Sequence, residues 1–99
     1  MVIRALDHVP HCYTYEDGLK IAELLSQALR NNQNATLSFE GVTGVPSSFI
    51  NGAFISLFND FSVDDIRRHV QVVCSTRQIN DLIRDRVSAE AKRSLLVSA

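Results

Sequence analysis

From Asp17 to Arg30 the apolar positions fall at helical spacing. Leu19, Ala22 and Leu25 with Ile21, Leu24, Ala28 and Leu29 make one broad stripe, and Lys20, Glu23, Gln27 and Arg30 lie outside it. That period predicts an amphipathic helix. Thr14 three residues before Asp17 reads as a capping box with Asp in place of Glu, Gly18 sits in the first turn, and Asn31–Asn34 supplies a polar stop. Elsewhere the pattern turns to strand. Val2 to Val9 reads as a strand near a sheet edge closed by Pro10, followed by a loop to Tyr15. Ala35 to Glu40 alternates, with Leu37 and Phe39 opposite Thr36, Ser38 and Glu40, and predicts a half-covered strand. Val70 to Cys74 predicts a short strand, placed centrally by its apolar character.

Between these strands the pattern returns to helix. Gly41 to Val45 is a turn, and Ser47 to Phe61 carries Phe49, Ile50, Ala53, Phe54, Ile55, Leu57, Phe58 and Phe61, more than one stripe's worth. Ser62 with Asp65 caps a short helix through Arg68. Ser75 or Thr76 caps a last helix, with Ile79, Leu82, Ile83 and Val87 at core spacing, arginines on the far side and fraying expected from Leu95 to Ala99. The order β-α-β-α-α-β-α predicts an α/β domain with a mainly parallel or mixed β-sheet and helices packed on it. At 99 residues this is a single domain, 1–99.

Charge changes the picture only slightly. The net charge is −1, which argues against nucleic acid as a partner. Its distribution is uneven: residues 1–60 carry three Lys/Arg against six Asp/Glu, residues 61–99 seven against five. No apolar run approaches a membrane span, and the start Met1 to Asp7 lacks a secretory apolar core, so the expectation is a cytoplasmic protein with Cys12 and Cys74 reduced.

The candidate chemistry centres on Ser47 and Ser48, at a helix start where free N–H groups favour an anion. A phosphate there would place roughly two negative charges on whatever surface the helix presents; the plainer reading is an ordinary N-cap serine. The surplus apolar residues of the helix face either the core, a partner or a second copy, with Ile55 and Phe58 the least committed to burial. His8, His11 and Cys12 lie close in sequence, but Cys74 and His69 would have to complete four ligands, so no metal is assigned. Gly44-Val-Pro-Ser-Ser-Phe49 is not a nucleophile elbow, and neither a Walker loop nor a dinucleotide fingerprint is present. The reading is a protein that is not an enzyme, with no cofactor.

The run Leu37-Ser-Phe-Glu-Gly-Val-Thr-Gly-Val-Pro-Ser-Ser-Phe49 resembles the strand–turn–helix signature of STAS domains, the anti-sigma factor antagonist fold. More closely it is similar to the bacterial STAS-like family of unknown function, with its Gly-Val, Ser-Ser-Phe and Ala-Phe core and an upstream helix opened by an Asp-Gly pair, here Asp17-Gly18. The resemblance covers about residues 14–90. In the antagonists the first serine of the pair is phosphorylated by a GHKL-type ATPase kinase, and phosphorylation breaks the complex; by position that serine is Ser47. Pro46 stands where the antagonists have Asp, and Phe49 where they have a small glycine. The resemblance implies a regulatory module that binds another protein and is switched at Ser47, with Ser48 beside it as a second candidate for phosphorylation; the contact surface read from the turn and its helix is Pro46, Ser47, Ser48, Phe49, Asn51, Ile55 and Phe58. The alternatives from other classes are a phosphate- or nucleotide-binding domain using the same helix N-terminus, and a structural homodimer without a switch.

Overall fold

The computed structural model describes residues 1–98, with side chains through Arg93. Its elements are β1 (Val2–Arg4), the single turn α1 (Ala5–His8), α2 (Tyr15–Arg30), β2 (Ala35–Ser38), α3 (Ser47–Ala53), a 3-10 helix (Ile55–Asn59), α4 (Val63–His69), β3 (Val70–Val73) and α5 (Arg77–Ser98). The three strands form one parallel sheet in the order β1-β2-β3, so the expected α/β class with a parallel sheet holds.

The sheet is one-sided. Its register aligns Ile3, Leu37 and Val72, and also Ala35 with Val70, on the face that meets the helices; Ile3, Ala35 and Leu37 are buried there. The opposite face carries Val2, Arg4, Thr36, Ser38, Gln71 and Val73, and opens to solvent at Val2 and Gln71. Parallel sheets are usually covered on both faces; here the polar residues of alternate positions make one covered face sufficient.

Local signals settle the helix ends. Thr14 Oγ1 accepts from the Asp17 N–H at 3.0 Å, and the Asp17 carboxylate accepts from the Thr14 N–H at 3.4 Å, completing the capping box. At the far end Asn32 takes φ 54, with its N–H on the Leu29 carbonyl and the Gln33 N–H on the Ala28 carbonyl, the two bonds of a Schellman motif. Ser62 Oγ accepts from the Asp65 N–H, and Thr76 rather than Ser75 caps α5 through the Ile79 N–H.

Three expectations need correction. The first strand stops at Arg4, and Ala5–His8 coil into one turn whose Ala5 is fully buried; only the β-rich start of Val2 to Val9 is strand, and no proline or glycine marks where it ends. The helix expected over Ser47–Phe61 breaks at Phe54 (φ −120°), and Ile55–Asn59 continue as a 3-10 helix, with the Gly52 carbonyl taken by the Ser56 hydroxyl at 2.6 Å. Strand β3 is an edge and β2 is central; Val70 and Val72 lie on the face that the helices cover, and Val73 lies on the other. Helix α5 spans Arg77–Ser98, and the expected fraying from Leu95 to Ala99 falls where Ala99 and the side chains from residue 94 lie outside the described residues.

Helices α2 and α3 touch backbone to backbone. A Cβ at Gly18 would land on the Phe49 carbonyl oxygen and come within 2.8 Å of the Ala53 nitrogen and 2.9 Å of the Gly52 Cα. A Cβ at Gly52 would land on the Tyr15 carbonyl oxygen, 3.0 Å from the Leu19 nitrogen. Around this crossing Phe49, Ile50, Ala53 and Phe54 pack with Ile21, Ala22 and Leu25 in the core. Since the obstacle on each side is backbone, Gly18→Ala and Gly52→Ala should each cost about 2 kcal/mol or more, a fall of roughly 10 °C in thermal midpoint for a domain of this size. Gly44→Ala, whose Cβ meets only the end of the Gln78 side chain, should cost less.

Candidate functional site

The Ser47/Ser48 turn is built from β2 outward. After Ser38 the chain keeps Phe39 fully buried, its ring edge-on to Phe49 at 6.2 Å between centroids. The Val42 N–H then returns to the Phe39 carbonyl at 2.9 Å, closing a turn with Gly41 at φ 85°, a backbone region that glycine enters without strain. The next residues are held from α5. The Gln78 side-chain amide accepts from the Val45 N–H and donates to the Val45 carbonyl, both at 3.0 Å, as a neighbouring strand would.

Pro46, not a serine, is the N-cap of α3, and no side chain caps it. Ser47 and Ser48 are therefore the first two helical residues, and α3 is only seven residues long, which leaves little aligned dipole to hold a free anion. The two serines differ. Ser48 donates its hydroxyl proton to the Tyr13 carbonyl at 3.1 Å and so ties the turn to the loop before α2. Ser47 is exposed, and its hydroxyl has no hydrogen-bond partner among the described residues.

Of the remaining expected contact residues, Phe49 is fully buried and belongs to the core, which takes it off any contact surface. Pro46, Asn51, Ile55 and Phe58 are half-buried. Asn51, Ile55 and Phe58 line one shallow depression of about 350 Å³ together with Tyr15, Ser56 and Arg86. Arg86, expected on a solvated face, donates to the Asn51 carboxamide oxygen at 3.0 Å and joins α5 to α3. Tyr13, Tyr15 and Leu19 are exposed although large and apolar, Leu19 contrary to its place in the stripe. The sequence pattern missed Tyr13, Tyr15, Gln78 and Arg86 at this site. Only the two tyrosines carried a signal, as aromatics flanking the Thr14 cap.

Beside the turn, the His11 Nδ1 lies 3.1 Å from the Asp17 carboxylate, and Cys12 is buried close by. Partial burial works to raise the pKa of Asp17, but the hydrogen bonds from Thr14, the neighbouring His11 and the Tyr13 N–H outweigh it and leave the value lowered. The Cys12 thiol is pushed up to about 11, first by burial and then by the Asp17 charge, so it stays protonated at neutral pH. His8 is exposed, His69 meets the Asn34 carboxamide at 3.0 Å, and exposed Cys74 ends β3 with φ 52°. These residues do not converge: among the described residues no three His, Cys, Asp or Glu side chains are placed to share a metal ion. Among them too, no helix is long and apolar enough to cross a membrane.

Two measurements follow from this chemistry. A depressed folded pKa means that the unfolded chain binds the extra proton, so the Asp17 contribution is complete above the ordinary carboxylate value of about 3.9 and is lost as pH falls through the lower folded value. Asp17→Asn should cost about 1 kcal/mol at pH 7 and flatten that part of the acid limb, read from urea midpoints between neutral pH and pH 3. Iodoacetamide at mildly alkaline pH should label Cys74 and spare Cys12 until the protein unfolds, which peptide mapping by mass spectrometry would show.

No characterised protein and no solved structure matches the chain at a significant level. A family model does, over residues 17–78, from the acid of the capping box to the glutamine that holds the turn; the family is described as a STAS-like domain of unknown function. The matched stretch contains both glycines of the helix crossing, the Gly41 turn and the serine pair. The chain belongs to the STAS-like domain family.

Proposed function

We propose that this domain is a non-enzymatic regulatory module of the anti-sigma factor antagonist kind, acting in the cytoplasm. Its contact surface is the Ser47/Ser48 turn with Pro46, Asn51, Ile55 and Phe58, flanked by Tyr13 and Tyr15. Its partner is a GHKL-type ATPase that also phosphorylates Ser47. The family match supports the class of module. The observation that carries the switch is the contrast between the serines: Ser48 spends its hydroxyl on the Tyr13 carbonyl, while Ser47 is exposed and unpartnered among the described residues. A phosphate on Ser47 adds about −1.5 to −2 charge in the first turn of α3. There it is tolerated by the helix but sits at the margin of a half-exposed apolar face, where it opposes an apolar contact.

The test compares wild type, Ser47→Ala and Ser47→Asp as baits in extracts of the native host, with mass spectrometry of bait and prey. All three should unfold within about 1 kcal/mol of each other, because Ser47 makes no contact that either change removes. The expected result is a GHKL-type ATPase retained by wild type and Ser47→Ala, lost with Ser47→Asp, and phosphate on the Ser47 peptide of the wild type. The same prey on all three baits with unmodified Ser47 overturns the switch. A concentration-dependent dimer lost in Phe58→Asp, with no prey, puts self-association in its place.

A further inference from the structure

Strand β3 leaves one edge of the sheet open. The Val73 carbonyl accepts from the Phe39 N–H at 3.1 Å, so Val73 faces β2, and by alternation Val72 turns its N–H and C=O to the open side. The Val70 N–H on that side is taken by the Ile66 carbonyl at the end of α4. Among the described residues nothing meets either group of Val72. Beneath this edge, on the helix side, a cleft of about 270 Å³ lies between β3, α4 and α5. Its apolar lining is Phe54, Ile66, Val70, Val72, Ile83 and Val87, while Arg67 from α4 and Arg84 from α5 are exposed. Arg84 shares the Asp81 carboxylate at 2.6 Å; Arg67 has no carboxylate partner among the described residues. The other edge is different, because under β1 the helix side is closed by buried Ile3, Ala5 and Val9.

We propose that the β3 edge receives an extended acidic segment of another protein as a fourth strand. Its backbone pairs with the N–H and C=O of Val72. Side chains on one face of such a strand recur every second residue, about 6.7 Å apart; on the face turned to the helices, apolar side chains enter the cleft and carboxylates of that same face meet Arg67 and Arg84 in its lining. Charge selects this occupant over a second copy of the chain. Antiparallel pairing of two β3 edges would bring together two sets of Arg67 and Arg84, and like charges across an interface oppose association. The proposal shares no residue with the Ser47 surface and does not depend on phosphorylation.

The probe is a capped synthetic octapeptide in which threonine alternates with valine and glutamate, so that valines and glutamates share the face turned to the cleft, compared with the same peptide carrying lysine for each glutamate. Each is titrated to about 1 mM into the 15N-labelled protein. The expected result is that the acidic peptide shifts the amides of Gln71–Cys74 and Asn80–Ser88 and slows exchange of the Val72 amide at least tenfold. The lysine peptide should do neither. Arg67→Glu with Arg84→Glu should weaken binding at least tenfold in a protein whose circular dichroism is unchanged. Val72→Pro should abolish binding while the sheet persists, since the lost N–H points away from β2. No shift with the acidic peptide, shifts confined to other residues, or equal binding of the lysine peptide overturns the proposal. So does a Val72 amide already protected without peptide in proportion to protein concentration, which would assign the edge to self-pairing.

Discussion

The contact between Gly18 and Gly52 sets the geometry on which the rest of this domain depends. Each glycine costs its own helix about 1 kcal/mol relative to alanine. What offsets this is the approach it permits, with the Phe49 and Tyr15 carbonyls lying where side chains would otherwise stand. At that separation Phe49, Ile50 and Ala53 reach the Ile21–Leu25 face of α2, and all three are fully buried. Any side chain at either glycine would push the helices apart and loosen the core behind them. The same contact brings Tyr15 beside Asn51, Ile55 and Phe58, so it also composes the proposed binding face.

The serine turn is positioned by tethers from three separate parts of the chain. The Gly41 turn hangs from β2, the Gln78 amide grips Val45 from the first turn of α5, and Ser48 holds the Tyr13 carbonyl ahead of α2. With its neighbours so engaged, Ser47 keeps an exposed hydroxyl, without the carbonyl contact that Ser48 makes, on a backbone that is otherwise fixed. A group held in that way can be changed chemically without disturbing the fold, which a switch requires. The short α3 and its Pro46 cap weigh against the alternative of a nucleotide phosphate seated at the helix start.

Much of this was legible because it is local. The Thr14–Asp17 and Ser62–Asp65 caps, the α2 period, the Gly41 turn and the half-exposure of Ile55 and Phe58 follow from residues within a few positions of one another. The misreadings share a cause. A valine-rich run such as Val70–Val73 reports an apolar environment but not whether strands or helices provide it, so β3 was placed at the centre and lies at the edge. Phe49 is apolar in core and interface alike, and only its packing against Phe39 and the α2 face assigns it to the core. Leu19 keeps helical spacing yet is exposed, because the crossing at Gly52 admits its backbone and leaves its side chain outside.

By itself the sequence determined the α/β class, the parallel sheet implied by intervening helices, the capped starts of α2 and α4 and the location of the serine pair at a strand–turn–helix junction. These depend on periodicity and capping, which act over one or two turns of chain. Tertiary structure alone decided which serine is free, which phenylalanine is core, that Gln78 and Arg86 reach back to Val45 and Asn51, and that the sheet keeps an open edge over an apolar cleft. All but the Phe39–Phe49 contact, which spans ten positions, join residues more than thirty positions apart or turn on the absence of a neighbour. No local pattern encodes such a relation, because it is fixed only when the helices close on the sheet.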